Sequence, residues 1–432
     1  MKGERSGPDW LTIGEATARI LASVSPQPVE EVQLLDALGR TLAGDVVAPC
    51  DQPPWDNSAM DGYAVRAADV RGASAGAPRR LLLVESVAAG SFPSRGVREG
   101  ETIRIMTGAP LPEGADGVIR IEHTRLAGDA HVDVVDDADA GRNVRLRGED
   151  LRAGETVLAR GSLLREGEVG VLATVGSGNV AVSCRPRIAI LSTGDELVDL
   201  DAFDQVLAGR RIVNSNSYAL AAAAMSVGAT PVLLGIAPDD AAAIQSRVAP
   251  ALDRCDALVT SAGASVGEFD VVKDALEALG MQRAFWRVRI RPGSPFSFGL
   301  IPRSNGPPLP VFGLPGNPVS AIVTFEILVK PAIRRMLGRL AVHPPTIQVR
   351  VARAIESRSG LVRFLRVRLS RDESGVLDAE LTGNQGSGVL TSVARADALL
   401  VIPLDVDSME AGRTARAVPL ATPDAAQRDP VL

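Results

Sequence analysis

PVFGLPGNPVSA, residues 310–321, carries the pattern that decides the fold: an apolar run opens into a glycine–proline loop and then into a helix start. Asn317 is placed to act as N-cap, with Pro318 at the first helical position. IAILSTGDEL (188–197) and ALVTSAGASVGEFD (257–270) repeat the theme, each running from apolar residues straight into a polar or glycine-rich loop. In an open α/β sheet such loops lie at the carboxyl ends of the strands, where ligands bind. Their small residues let backbone N–H groups approach a ligand, and helix N-termini favour anions. One such loop alone reads first as an ordinary strand-to-helix turn. Three on one sheet edge predict a pocket for a phosphorylated or otherwise anionic ligand.

Around these loops, residues 187–338 alternate apolar runs (188–191, 232–236, 257–259, 309–312) with helix-length stretches (217–227, 239–252, 270–279, 318–337). That rhythm predicts a parallel sheet covered on both faces. Upstream, Thr12 and Glu15 form a T-x-x-E capping box that opens an amphipathic helix to about residue 24. Residues 45–139 change to short β-like runs (81–84, 118–121, 132–135) between Gly, Pro and Asp turns, a β-rich module. A helical stretch follows at 163–175, and Arg185-Pro186-Arg187 marks a junction. Beyond Pro344-Pro345, the runs 347–351, 364–369 and 398–402 predict a small C-terminal β domain.

Composition narrows the chemistry by exclusion. A chain of 432 residues is too long for one core and predicts two to four domains. Its 46% hydrophobic and 23% charged residues are ordinary for a globular protein. A net charge of −6 argues against a general nucleic-acid binder, yet leaves room for a local basic pocket. Cys50, Cys184 and Cys255 lie far apart, with no CxxC spacing. They build neither a disulfide framework nor a zinc site and fit a reducing compartment. His123, His131 and His343 are equally scattered, so no histidine metal cluster is expected. With no signal-peptide apolar core and no run long enough to span a bilayer, a cytoplasmic location is expected.

In WRVRIRPGSPFSFG (286–299), strand alternation sets Trp286, Val288 and Ile290 on one face and Arg287, Arg289 and Arg291 on the other. Alone, this is a basic edge strand that resists aggregation. Beside an anion pocket, the guanidiniums read as oxyanion ligands. Acids gather in the same loops: Asp195, Glu196, Asp239, Asp240, Glu268 and Asp270. Together with an anion they suggest a divalent cation, Mg²⁺, although such acids also suit helix N-termini. PPWDNSAMDGYAV (53–65) sets two acids, an Asn, a Ser and a Met after two prolines, a spacing that by itself names no reaction.

DNSAMDGYA (56–64) acquires meaning beside RIMTGAPLP (104–112), RGEDL (147–151), LSTGDEL (191–197), SVGEFD (265–270) and GLPGNPVSA (313–321). Together, and in this order, they resemble the MoeA/gephyrin E-domain family over about residues 10–418. The resemblance implies a multidomain α/β fold. Its parts would be a discontinuous N-terminal linker domain (10–50 and 142–185), a β-rich inserted domain (51–141), a three-layer molybdopterin-binding α/β domain with a mostly parallel sheet (186–338) and a C-terminal β-barrel-like domain (339–420). It implies homodimers in which the inserted domain of one subunit faces the α/β domain of the other.

The implied reaction inserts molybdate into adenylated molybdopterin with release of AMP, assisted by Mg²⁺. The implied partners are the molybdopterin adenylyltransferase that hands over the substrate and the apo-molybdoenzymes that receive the cofactor. Neither nucleic acid nor a membrane is expected. Carried over by motif, the catalytic positions are Asp56, Thr107, Asp150, Glu196, Asp239 and Asp270, with Glu196, Asp239 and Asp270 as metal ligands. Ser192, Thr193, Gly194, Ser261, Gly263, Ser265, Pro315, Asn317, Pro318 and Ser320 would line the cofactor site together with Arg287, Arg291 and Ser294. Ser320 would sit near the oxyanion.

The chain also departs from the family pattern. Family members read I-K-P-G-K-P with a further lysine four residues before the first, where this chain has Arg287, Arg291 and Ser294. One expected cation is therefore missing at Ser294, and Arg289 on the same strand face is its expected replacement. SAGASVGE stands in place of the commoner SGGVSVGE. Around Phe364 the R-x-E-F context is not kept, so no role carries over to Arg366. Two further readings stay open: a scaffolding paralogue that binds the cofactor without turnover, and a paralogue that inserts tungsten.

Overall fold

In the computed structural model, which describes residues 10–261, 271–357 and 360–420, the expected capping box starts the first helix. Thr12 Oγ1 accepts the Glu15 N–H at 3.2 Å, and Glu15 Oε2 accepts the Thr12 N–H at 2.8 Å. This helix, α1 (Ile13–Ala22), buries Ala16 and Ile20 in the core of the α/β unit described below. Val29–Gln33 pairs antiparallel with Asn179–Ser183, and Val46–Val47 with Thr156–Leu158, so the chain leaves this region and later returns to it. In between lies a six-stranded sheet in the order Gly117–Arg120, Gly62–Val65, Glu101–Ile105, Arg79–Val87, His131–Val134, Thr124–Leu126.

The second unit follows the strand–helix rhythm read from the sequence. Its elements are β1 (Arg187–Thr193), α2 (Ser215–Val227), β2 (Thr230–Ala237), α3 (Ala241–Val248), β3 (Ala257–Ser261), α4 (Val271–Ala278), β4 (Gln282–Phe285), β5 (Ile290–Arg291), β6 (Ser297–Ile301) and β7 (Leu309–Leu314). The sheet order is β2–β1–β3–β7–β6–β4, with the first three pairings parallel and the last two antiparallel. β3 and β7 are buried along their whole length, as strands covered on both faces must be. Ile188 and Ile190 of β1 face the core that contains α1 and α2, while Ala189 and Leu191 face the core that contains α3 and α4.

The helix after β7 is interrupted. Residues expected as one piece form α5 (Pro318–Thr324), a π-turn (Phe325–Val329) and α6 (Lys330–Met336). Pro331 accounts for the break, because it has no N–H to donate to Ile327 and its ring crowds that carbonyl.

The C-terminal unit comprises β8 (Ile347–Val351), β9 (Val362–Arg371), β10 (Leu377–Leu381), β11 (Ala398–Ile402) and β12 (Thr414–Pro419). Its order is β9–β10–β8–β12–β11, and β11 pairs back onto β9 to close a barrel-like sheet.

The arginine strand expected over 286–291 is not continuous. After β4 the chain leaves the α/β sheet, and Val288 makes a bridge to Leu11. Ile290 and Arg291 then pair in parallel with Val362 and Arg363 of the C-terminal barrel. Stacking contributes to the break: the Arg287 guanidinium lies 3.8 Å from the Trp286 ring centroid and 5.3 Å from that of Trp10. The three guanidiniums are therefore not in one row facing one pocket.

Gly293 lets the turn after β5 approach α5. Its φ is +109°, and a Cβ there would lie 2.3 Å from Thr324 Cγ2. Gly293→Ala is expected to destabilise the protein by about 2–4 kcal/mol, from overpacking combined with an unfavourable backbone conformation. Urea denaturation checks this, and a loss below about 0.5 kcal/mol would contradict the close approach.

Candidate functional site

The carboxyl ends of β1, β3 and β7 open on a cleft of about 410 Å³ lined by Thr193, Glu196, Asn216, Ser261, Gly316 and Pro318. Beneath it lies a buried hydroxyl network. Ser192 Oγ is 2.8 Å from Ser261 Oγ and 2.9 Å from Ser217 Oγ, and Asn214 Nδ2 donates to Ser217 Oγ at 2.9 Å. Ser192 and Ser261, expected as cofactor contacts, thus direct their hydroxyls at the protein's own interior. The free polar atoms are others: Thr193 Oγ1 and Asn216 Oδ1 are buried without a partner among the described residues. Asn216 Nδ2 donates to Gly316 O at 2.8 Å and ties the start of α2 to the loop before α5. In that loop Pro315 is buried, and Asn317 sits at the N-cap position without making a side-chain capping hydrogen bond.

Glu196 puts an acid on the rim of this cleft, and Asp195 and Asp239 lie close enough to it for their charges to interact. Gly194 has φ +146°, and a Cβ there would meet Glu196 Oε2 at 2.5 Å, so only glycine lets the Glu196 carboxylate fold back over the turn. Asp239 donates its backbone N–H to Asp195 Oδ1 at 3.4 Å, and Asp240 caps α3 by accepting from the Ala243 N–H at 2.8 Å. Burial, followed by the neighbouring Asp195 and Glu196 carboxylates, pushes the Asp239 carboxyl above its usual range. Among the described residues no three acids, histidines or cysteines converge as a ligand set for a metal. Asp270, predicted as a catalytic and metal-binding acid, and Gly263 and Ser265, predicted for the cofactor site, lie outside the described residues.

A second cleft, of about 600 Å³, lies between the α/β unit and the barrel, with Arg291, Ser294, Ser320, Arg363 and Arg366 on its walls. Arg366 is only 1% exposed. Its guanidinium donates to Ser392 Oγ at 3.1 Å, Gly386 O at 3.3 Å and Phe364 O at 3.4 Å. These acceptors are neutral, and burial pushes the arginine's pKa down. Ser320, in the first turn of α5, is 4% exposed. The two clefts share one wall: Pro318 lines the first and Ser320 the second, and Val319 N donates to Ser387 O of the barrel at 3.1 Å.

Sequence reasoning missed Arg363 and left Arg366 without a role. The glycine-rich GNQGSG stretch (383–388) was a usable signal, because its Gly386 and Ser387 line the same cleft. Arg287 is held against the tryptophans instead, and neither it nor Arg289 lines the cleft.

A third cluster gathers at one end of the inserted sheet. Asp56 Oδ1 accepts the Arg147 N–H at 2.7 Å, and Thr107 donates both its N–H and its hydroxyl to Asp61 Oδ1, at 2.7 and 2.8 Å. These bonds hold the Asp61 carboxyl below its usual range. The exposed Asp150 joins through its N–H to Gln52 O at 3.0 Å. Trp55 and Phe92 stack edge to face beside it, with centroids 4.8 Å apart. Asp56, Thr107 and Asp150 are each anchored here through a different partner, and none of them lines either cleft described above.

Comparison with known proteins covers almost the whole chain. Family models match in three successive stretches: the MoeA N-terminal region (domain I and II) over residues 11–176, a probable molybdopterin binding domain over 189–335, and the MoeA C-terminal region (domain IV) over 348–420. A molybdopterin molybdenumtransferase of Nostoc sp. is 37% identical over 405 residues, covering 92% of this chain and 91% of the relative. One from Haemophilus influenzae is 32% identical, covering 95% and 98%. The crystal structure of a molybdopterin biosynthesis moeA protein from Pyrococcus horikoshii superposes with a TM-score of 0.80 at 30% identity, covering 95% of this chain and all of that one. The motifs, the closed C-terminal sheet and these matches agree, and the chain belongs to the MoeA family.

Proposed function

We propose that this chain is a molybdopterin molybdenumtransferase that inserts molybdate into adenylated molybdopterin and releases AMP. One observation carries the reading: an acid-rimmed cleft and an arginine-lined cleft sit on either side of Pro318–Ser320. The first suits a pterin phosphate with its nucleotide, and the second suits a dianionic oxyanion. Bringing the two ligands together against opposite ends of one short segment is catalysis by positioning and charge neutralisation. The relatives share this activity, and neither a scaffold without turnover nor a tungsten-inserting paralogue is favoured.

Mg²⁺ fits the acid rim, because a hard divalent cation relieves the repulsion that disfavours ionised Asp239. Glu196 and Asp239, with Asp270, would hold it, and bound there it would offset phosphate charge. The third cluster enters through a homodimer, in which Asp56, Thr107 and Asp150 of one subunit complete the clefts of its partner. The adenylyltransferase that supplies the substrate and the apo-enzymes that take the product would dock transiently in the cytoplasm. Among the described residues no helix is long and apolar enough to cross a membrane.

Purified protein supplied with adenylated molybdopterin, Mg²⁺ and molybdate should release AMP as molybdenum enters the pterin; no AMP release would refute the reading. Asp239→Asn should lower that rate at least about 100-fold, by removing a charge-stabilising ligand. Because the Asp239 pKa is raised on folding, the metal-free wild type should gain stability as pH falls through that raised value. At pH 7 the substitution should therefore raise the metal-free Tm and abolish the rise that Mg²⁺ produces in the wild type. A variant that keeps its Mg²⁺-dependent Tm shift would remove Asp239 from the metal site.

Subunit complementation addresses the dimer. Asp56→Asn and Glu196→Gln should each be inactive as homodimers. When refolded together in equal amounts they should recover about a quarter of wild-type activity, since half the dimers carry one intact site. No recovery would place Asp56 and Glu196 in the same subunit's site.

A further inference from the structure

Ser294 stands where the family pattern has a lysine, and its hydroxyl donates to Ile290 O at 2.5 Å, so it brings neither a charge nor a free donor to the arginine cleft. Arg289 does not take its place. Its N–H donates to Leu11 O at 2.8 Å, its carbonyl accepts from Val362 N at 3.0 Å, and its charge is felt by Glu15 on α1.

Arg363 does line the cleft. The parallel register between β5 and β9 sets it directly opposite Arg291. Its Nη1 donates to Glu356 O and Ser357 Oγ, both at 3.3 Å, while its Nε is buried with no partner among the described residues. Neither acceptor is charged, and among the described residues no carboxylate pairs with it. Burial and the adjacent Arg291 both push its pKa down, as expected for a half-buried guanidinium beside a like charge. Such a pair is unfavourable alone and becomes favourable when an anion bridges it.

We infer that Arg363 supplies, from the C-terminal barrel, the cation missing at Ser294, and that the Arg291–Arg363 pair is the oxyanion's principal clamp in this chain. The inference rests on the oxyanion reading of the cleft. It goes further by assigning a ligand that the family pattern does not contain, and by moving the charge from one domain to the other.

Titration calorimetry of the full chain with sodium molybdate alone, run beside the molybdate dependence of AMP release, tests this. Arg363→Gln and Arg363→Leu should each weaken molybdate binding by about 10- to 100-fold and raise the half-saturating concentration by the same factor. Adding Ser294→Lys to either variant should return binding to within about fivefold of wild type, because it restores a charge at the same cavity. A purely structural arginine would not be rescued in this way. Failure of that rescue overturns the inference, and so does wild-type binding by the neutral variants while Arg366→Gln is impaired. If Arg291→Gln, Arg363→Gln and Arg366→Gln all bind molybdate like the wild type, the oxyanion reading of the cleft itself falls.

Discussion

A parallel pairing of only two residues, Ile290–Arg291 against Val362–Arg363, holds the rest of the arrangement together. It welds the α/β unit to the C-terminal barrel, and in doing so it places arginines from two domains around one cavity. Folding does not need this concentration of positive charge. Among the described residues, Arg366 is buried against carbonyl and hydroxyl oxygens with no opposing carboxylate, and Arg363 has a buried N–H without a partner. Cations held this way cost stability unless a ligand completes them, and the proposed dianion would do so.

The shared wall gives the two clefts their relation. Val319 is hydrogen-bonded to Ser387 of the barrel, Asn216 to Gly316 ahead of the helix, and Gly293 lies against Thr324 where no larger residue fits. Loop, helix start and barrel are therefore positioned by one another. A shift of any one would alter the distance between the acid-rimmed and the arginine-lined cavity. The buried Lys330–Glu326 pair, 2.6 Å apart, spans the π-turn that follows and keeps its charges matched inside the core.

Local chemistry made much of this legible in the sequence. The Thr12–Glu15 box opens its helix as expected, and the apolar runs of β1, β3 and β7 are buried parallel strands whose carboxyl ends share one edge. These features depend on residues that are neighbours in sequence, so they can be read there. What escaped depends on tertiary partners. Nothing near residue 286 announces that Trp10 will stack on Arg287, or that the strand will leave one sheet for another. Arg363 and Arg366, three apart on a strand, fall on opposite faces by simple alternation, and only the packing of the barrel brings both to one cavity. The inward turn of Ser192 and Ser261 depends likewise on Ser217, a residue of a different element.

Everything turns on where the oxyanion sits. Crystals grown with molybdate, with anomalous differences collected at the molybdenum absorption edge, locate that atom without reference to any assumed mechanism. One dominant anomalous peak is expected within hydrogen-bonding reach of Arg291, Arg363 and Ser320, facing Arg366. A dominant peak on the acid-rimmed side of α5, or on the inserted domain with the arginine cavity empty, would contradict it.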